Sequence, residues 1–409
     1  MRETEATKTI EVAGGQGEGV NATPALAEAA RQMNVCNACR YCEGLCAVFP
    51  AMEKRQTFTD GDINYLANLC HNCSACYYDC QYVPPHEFAV NVPVAMAEAR
   101  EESYAHYAWP RFLAPVFERN GLWIAAASAL FVAVFIGGFA LAADPGVFWS
   151  VQTGEGAFYR IMPHEAMAAV FGAVFFYAIF AIGMGVRAFW LEAGRSVPIR
   201  LTPADFWRAM RNATTLRYLD GGGAGCMNED ERPSDRRRLY HHATFYGFLL
   251  CFASTSTGTL FHYGFGWEAP YPLWSPVVIL GTLGGIGLVV GPIGLLREKH
   301  RRDPAIRKRT QTGMDAAFLW SLLAVSATGL ALLALRASPA MGLMLSIHLG
   351  VVFALFLSFP YGKFVHGIYR YLALVRHAAE EAHAEGRTAA PSRPLGAETA
   401  VGAKATAGG

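Results

Sequence analysis

Six apolar runs, each near the ~20 residues a helix needs to cross hydrocarbon, lie between residues 121 and 370. They cover residues 121–143, 165–190, 241–263, 274–296, 314–335 and 341–362, from "GLWIAAASALFVAVFIGGFALAA" to "MGLMLSIHLGVVFALFLSFPYG". A chain so built folds as a bundle of membrane helices. Its composition agrees: 53% of residues are hydrophobic and 16% charged, against about a quarter charged in an average soluble domain. The net charge of +1 gives no whole-molecule attraction to nucleic acid, and none is expected as a partner.

The basic residues set an expected orientation. The connection 191–240 holds Arg195, Arg200, Arg208, Arg211, Arg217, Arg232 and the run Arg236, Arg237, Arg238. The connection 297–313 holds Arg297, Lys299, Arg301, Arg302, Arg307, Lys308 and Arg309. The alternate connections, 144–163 and 264–273, carry only Arg160. Lys and Arg mark the cytoplasmic side, so both termini are expected there. The first thirty residues lack an apolar core of the kind that directs export. The expected location is therefore the cytoplasmic (inner) membrane, with the N-terminal part on the reducing side of it.

That N-terminal part carries eight of the ten cysteines. "CNACRYCEGLC" places Cys36, Cys39, Cys42 and Cys46, and "CHNCSACYYDC" places Cys70, Cys73, Cys76 and Cys80 with the same spacing. Zinc sites usually pair two cysteines from each of two knuckles. Three cysteines at intervals of three instead suit three corners of a [4Fe–4S] cubane, the fourth reaching the other cluster. The expected ligand sets are Cys36, Cys39, Cys42 with Cys80, and Cys70, Cys73, Cys76 with Cys46; zinc or plain thiols are the competing readings. One departure is local. The proline that usually follows the fourth cysteine is replaced by Ala47 and Gln81, with Pro50, Pro84 and Pro85 a few residues on. Between the motifs, "FTDGDINYLANLC" has Thr59 or Asp60 as N-cap and Ile63, Leu66 and Leu69 at helical spacing. The fold class is thus all-α: an α-helical ferredoxin domain, then a six-helix transmembrane bundle. The expected divisions are a flexible lead at 1–28, the two-cluster domain at 29–100, the membrane domain at 101–378, and a disordered tail at 379–409. Within the membrane domain, 101–120 reads as an aromatic, amphipathic stretch on the membrane surface.

Histidine inside a span is costly and usually functional. His241 and His242 open the third run and His262 closes it; His348 opens the sixth and His366 follows it. Histidines at matching depth on two helices can hold a haem iron axially. The arrangement permits one or two b-type haems: an inner one between the His241/His242 pair and His366, and an outer one between His262 and His348. His348 and His366 are 18 residues apart, five whole turns of an unbroken helix and roughly 27 Å along it. If the same helix pair holds both haems, His241 suits the inner one better than His242, being nearer in rotation to His262, and Pro360 threatens the register of the sixth run. The bland alternative is that the terminal histidines are solvated at the interface. His164 reads as interfacial, His71 as near the cluster or exposed, and Cys251 as a small apolar filler. "LDGGGAGC" lacks the strand and frame of a dinucleotide site and reads as a cytoplasmic loop packing on the cluster domain. Glycines in the fourth run read as contacts between close helices. No flavin, nicotinamide or hydrolase motif is present, and no catalytic residue is named.

Taken together, the doubled cysteine motif, "YLDGGGAGC", "HHATFYGFLLCFASTSTGTLFHY", "GWEAPYPLW", "GTLGGIGLVVGP" and "PYGKFVHGIYRY" make a specific set. The chain resembles the tricarballylate utilisation protein B family, also called CitB-like, from about residue 30 to 377. The resemblance implies that it reoxidises the reduced FAD of a partner tricarballylate dehydrogenase and passes electrons to the quinone pool of the bilayer. It does not imply binding of the organic acid. Two other classes fit six spans and a cysteine domain: a transporter with an attached redox sensor, disfavoured because no basic residue sits mid-span, and an iron–sulfur sensor without turnover.

Overall fold

The computed structural model describes residues 22–142, 144–228, 232–307 and 309–388. Among them the chain is helical, and the isolated bridge between Cys226 and Ser234 is its one β pairing. The fold is all-α, as expected. Five helices make the N-terminal part: α1 (Pro24–Cys39), α2 (Val48–Glu53), α3 (Asp60–Leu69), α4 (Ala75–Tyr78) and α5 (Val92–His106). Helix α1 starts where Thr23 accepts a bond from the Leu26 N–H and Pro24 fixes the first turn. It stops at Arg40, which takes the left-handed conformation (φ 57°) and returns its N–H to the Cys36 carbonyl. Helix α3 is opened by a capping box between Thr59 and Asp62. Ile63, Leu66 and Leu69 are buried, as their spacing predicts, and pack with Met33, Phe49, Met52 and Met96 in one core.

The membrane part follows: α6 (Asn120–Ala142), the short α7 (Pro145–Phe148), α8 (His164–Glu192), α9 (Pro203–Thr214), α10 (Arg236–Phe265), α11 (Pro276–His300), α12 (Arg309–Leu335), α13 (Met341–Ser358) and α14 (Val365–Thr388). Each expected run coincides over most of its length with a helix. Among the described residues, five stretches are long and apolar enough to cross a membrane: Asn120–Ala142, His164–Glu192, Pro276–His300, Gly313–Leu335 and Met341–Tyr361. The third run is different. Helix α10 has 30 residues, about 45 Å of helix, but hydroxyls dilute its hydropathy. Thr255, Ser256, Thr257 and Thr259 each return their hydroxyl to the carbonyl four residues back, at 2.8–3.3 Å. Those polar groups are satisfied within the helix itself. Glycines let α10 and α11 touch backbone to backbone. A Cβ on Gly247 would meet the Gly284 carbonyl oxygen at 2.9 Å, and one on Gly287 the Ala243 oxygen at 2.9 Å.

Two expectations change. The sixth run is not one unbroken helix: α13 gives way to a 3-10 turn at Phe359–Tyr361, and α14 starts afresh at Val365. Proline at 360 lacks the N–H that α-helix continuation needs. His348 and His366 therefore belong to different helices, and five-turn register does not relate them. Residues 379–388, expected as disordered tail, instead continue α14 with Ala379 and Glu380 buried. Helix α1 begins at Pro24; the rest of the expected lead, residues 1–21, and of the expected tail, residues 389–409, lies outside the described residues.

Helix α14 explains why the two parts sit firmly together. Arg55 places Nε 2.8 Å from Asp62 and Nη2 2.7 Å from Glu380, with all three side chains wholly buried. Tyr65 donates to Glu380 at 3.1 Å. Arg376 donates to the Gly194 and Val197 carbonyls just past α8. Tyr104, Tyr107 and Phe117, from the stretch expected on the membrane surface, are buried in this joint beside Tyr369 and Phe189.

Candidate functional site

The eight thiols lie in two segments and influence one another across them. Cys36 closes the last turn of α1 with Cys39, and the loop after the Arg40 cap carries Cys42 and Cys46. Burial and then the neighbours Cys42, Cys80 and Cys39 push Cys36 up to about 12. Burial, Cys80, Cys39 and Asp79 do the same to Cys42, also about 12. Cys46 is driven up by burial and by Cys73 and Cys70, and Cys76 by burial, Cys73, Cys70 and Cys46. Cys80 of the second motif thus faces the first three thiols, and Cys46 of the first faces the second three. Thiols so reluctant to ionise gain most from a cation, whose charge reverses the balance outright. Among the described residues no three of these groups converge as tightly as ligands of one ion do. A cubane spreads four thiolates over four irons, so the donor set fits that group better than it fits zinc.

The second loop is embedded in the protein. Residues 70–75 are all buried. Arg100 donates to the Cys70 carbonyl at 2.6 Å and Arg370 to the same oxygen at 2.5 Å. Arg237 reaches the Asn72 carbonyl at 2.6 Å. Arg302 bonds the Asn72 carbonyl at 2.9 Å and Ser74 Oγ at 3.0 Å. The glycine stretch lies over the same loop, as expected. Gly222 (φ +80°) would drive a Cβ to 3.1 Å from Leu45, and the Met227 N–H donates to the Cys73 carbonyl at 3.1 Å. Cys226 is buried there with Cys73 and Ala75.

Below this loop lies a cavity of about 320 Å³. Its polar lining includes His71, the four arginines with Arg307, Lys299, Lys363, Asp315 and Glu298; its apolar lining includes phenylalanines and leucines of α10, α12 and the turn before α14. Asp315 bridges Lys299 at 2.6 Å and Lys363 at 2.9 Å. Two histidines enter the cavity from opposite sides. His241 of α10 and His366 of α14 have ring centres 6.3 Å apart, inclined at 70°. A metal bound ~2 Å from one nitrogen of each ring sets the ring centres about 6 Å apart. His366 Nδ1 lies 2.6 Å from the Lys363 carbonyl, the outer bond that fixes a ligating imidazole and leaves Nε2 for the metal. Burial, with Lys363 and Arg370, holds His366 well below the usual histidine range, so the lone pair is kept. His241 Nδ1 is buried without a partner. The pair would offer two imidazole nitrogens of the kind that could hold a b-type haem iron.

The other histidines are placed differently. His242 turns from the cavity toward Tyr246, ring centres 5.8 Å apart. His262 does not meet His348 ring to ring; it stacks on His164 at 3.6 Å and 21°. His348 lies 3.0 Å from Thr328 Oγ1 of α12, and its Cε1 would be 3.0 Å from a Cβ added to Gly329. His71 is buried rather than exposed and lines the cavity. In the sequence Arg237 and Arg302 count among the basic connection residues, and nothing singles out Arg100 or Arg370. A local signal exists for two of the four: Arg237–His241 and His366–Arg370 are four residues apart, which puts Arg and His on one helix face.

The comparisons with known proteins agree with this division. The family described as Citrate utilization protein B matches residues 119–387. Its companion, described as the Citrate utilization protein B Fer4-like domain, matches residues 29–106. The chain is 50% identical over 356 residues to Citrate utilization protein B of Escherichia coli, covering 87% of this chain and 92% of that protein. No solved structure matches it. A Fer4-like domain points to iron–sulfur binding, and the apolar helices to a membrane. The chain belongs to the citrate utilization protein B family.

Proposed function

We propose that this protein is a membrane-bound electron-transfer subunit that reoxidises the reduced FAD of a partner dehydrogenase and delivers the electrons to membrane quinone. The observation that carries the reading is one of placement. The buried loop 70–75 supplies Cys70 and Cys73 to the second thiol quartet, and its His71 and Asn72 line the same cavity as the facing imidazoles of His241 and His366. When bound, two [4Fe–4S] clusters and b-type haem supply one-electron carriers, which a two-electron flavin needs in order to reach a distant acceptor. Cys36, Cys39, Cys42 and Cys80 would hold one cluster, and Cys46, Cys70, Cys73 and Cys76 the other. His241 and His366 would hold the inner haem. His262 and His348 remain candidates for an outer one, His262 now with His164 beside it.

The chain's own groups serve this role without touching an organic acid. Residues 70–75 exclude water from the second quartet, and the Lys363 carbonyl fixes the His366 ring. Helix α10, with its hydroxyls satisfied internally, crosses as the sixth span. Both termini then lie on the cytoplasmic side with the basic connections. The substrate of the partner is tricarballylate or a related tricarboxylate; the Escherichia coli relative is named for citrate utilization.

The test is anaerobic purification of the full chain followed by iron, sulfide and optical analysis. The expected result is iron and acid-labile sulfide together with a reduced haem spectrum that His366→Ala diminishes and His242→Ala leaves in place. Intact protein with neither iron nor sulfide rejects the reading. Uptake of labelled tricarboxylate by vesicles, without quinone reduction, would move it to transport.

A further inference from the structure

The four arginines around residues 70–75 have an unusual feature in common. Arg100, Arg237, Arg302 and Arg370 come from four separate segments: α5, α10, the α11–α12 connection and α14. Each bonds carbonyl, amide or hydroxyl oxygens of residues 67–74. Among the described residues none of the four makes an ion pair, although Lys299 and Lys363 in the same cavity both have Asp315. A guanidinium group stays charged at neutral pH. The two carboxylates that line the same cavity are engaged elsewhere, Asp315 by Lys299 and Lys363 and Glu298 by Arg301, so the four arginines carry an excess of positive charge onto the loop, and buried charge is costly unless offset. The first loop has the opposite surroundings. Residues 40, 41, 43 and 44 are exposed, and the charged group close to Cys42 is the carboxylate of Asp79.

We infer that these four arginines set the direction of electron flow, by raising the reduction potential of the centre held by Cys46, Cys70, Cys73 and Cys76 above that of the centre held by Cys36, Cys39, Cys42 and Cys80. The inference rests on the proposed function and goes beyond it. Reduction adds one negative charge to a centre, and nearby positive charge favours that state. The Asp79 carboxylate near the first quartet works against it; burial of the second loop also disfavours added charge, and the four guanidinium groups are inferred to outweigh that burial. One electron therefore leaves the first quartet, which is oxidised, and reduces the second, with no bond made and no proton moved. The electrons come from the reduced flavin of the partner. The four side chains are positioning and tuning groups: they act through the cysteine loop and touch no substrate.

The experiment is a redox titration of the full chain, purified anaerobically and followed by EPR, with Cys39→Ser used to identify the signal of the first quartet. In the unmodified protein the second quartet is expected to be reduced first. Arg302→Gln and Arg237→Gln are each expected to shift its reduction equilibrium about tenfold toward the oxidised form, about 59 mV for one electron. The first quartet should not move. Arg302→Lys keeps the charge while losing the guanidinium fork, and should retain the potential. If the Gln variants do not assemble, the order of the two potentials in the unmodified protein still decides. A second quartet of lower potential, or Gln variants with unchanged potentials, overturns the inference and leaves the proposed function standing. Absence of iron and sulfide from intact protein removes both.

Discussion

The two cysteine loops share a spacing and almost nothing else. The first closes an exposed turn after α1, where Tyr41 keeps 75% of its surface. The second is buried from Cys70 to Ala75, held by arginines from four segments and roofed by the glycine stretch. Identical spacing reflects identical demands of the metal centre, which needs thiolates on one tight loop. Burial and charge reflect a different demand, set by what lies on the far side of each loop. Beyond the first is solvent, where a partner can dock; beyond the second are His241, His366 and the bundle. Ligand spacing thus reports chemistry, and the shell around it reports position in a chain of transfer.

The largest expected effect tests whether the loops are as unequal as their shells. Cys73→Ser removes a buried ligand from the embedded loop and Cys39→Ser one from the exposed loop. Each should cost about half the iron, the complement of one of two cubanes. Cys73→Ser should in addition loosen the packing of Cys226, Leu219 and Leu216 against it and lower the apparent melting temperature more. Equal losses of thermal stability would break the comparison. A smaller effect tests the joint that keeps the embedded loop against the bundle. Glu380→Ala leaves Arg55 buried beside a single carboxylate, and such a loss typically costs 3–5 kcal/mol. It should expose the cysteine domain to limited proteolysis. Lys54–Glu381, the neighbouring pair, is 17% and 35% exposed; Glu381→Ala should cost ~1 kcal/mol or less and leave the protease pattern unchanged.

How much of this was legible in the chain follows from the range of each interaction. The helices were readable because twenty apolar residues in a row, or Thr59 with Asp62, are local signals. The doubled cysteine spacing was readable because it is local, four thiols within eleven residues in each motif. His241 was favoured over His242 on rotation, and it is the one facing His366. The register argument for His348 was not secure, because a single proline at 360 ended the helix it assumed. The shell was largely invisible. Arg100, Arg237, Arg302 and Arg370 are spread over 270 residues of sequence, and only tertiary packing gathers them on one loop. The stacking of His262 on His164 is equally non-local, since His164 opens α8 while His262 ends α10.

The smallest expected effect is also the sharpest test of the comparison, because both loops use the same backbone device. Arg40 in the first loop and Ser74 in the second adopt positive φ, 57° and 73°. A Cβ in that region costs about 1–2 kcal/mol that glycine does not pay. Arg40 is exposed, and its guanidinium only returns to the Asn37 carbonyl at 3.2 Å. Arg40→Gly should therefore raise the apparent melting temperature slightly, part of the gain being lost to a more flexible unfolded chain. Ser74 is 1% exposed, and its hydroxyl lies 3.0 Å from Arg302 Nη2. In Ser74→Gly the same backbone relief is set against a charged hydrogen bond, worth about 1.5–3 kcal/mol, and the melting temperature should fall. Parallel thermal denaturation of the two variants, loaded and in one detergent, reads the sign directly. If both rise, Ser74 contributes no more than backbone, and the second loop is held by its carbonyls alone.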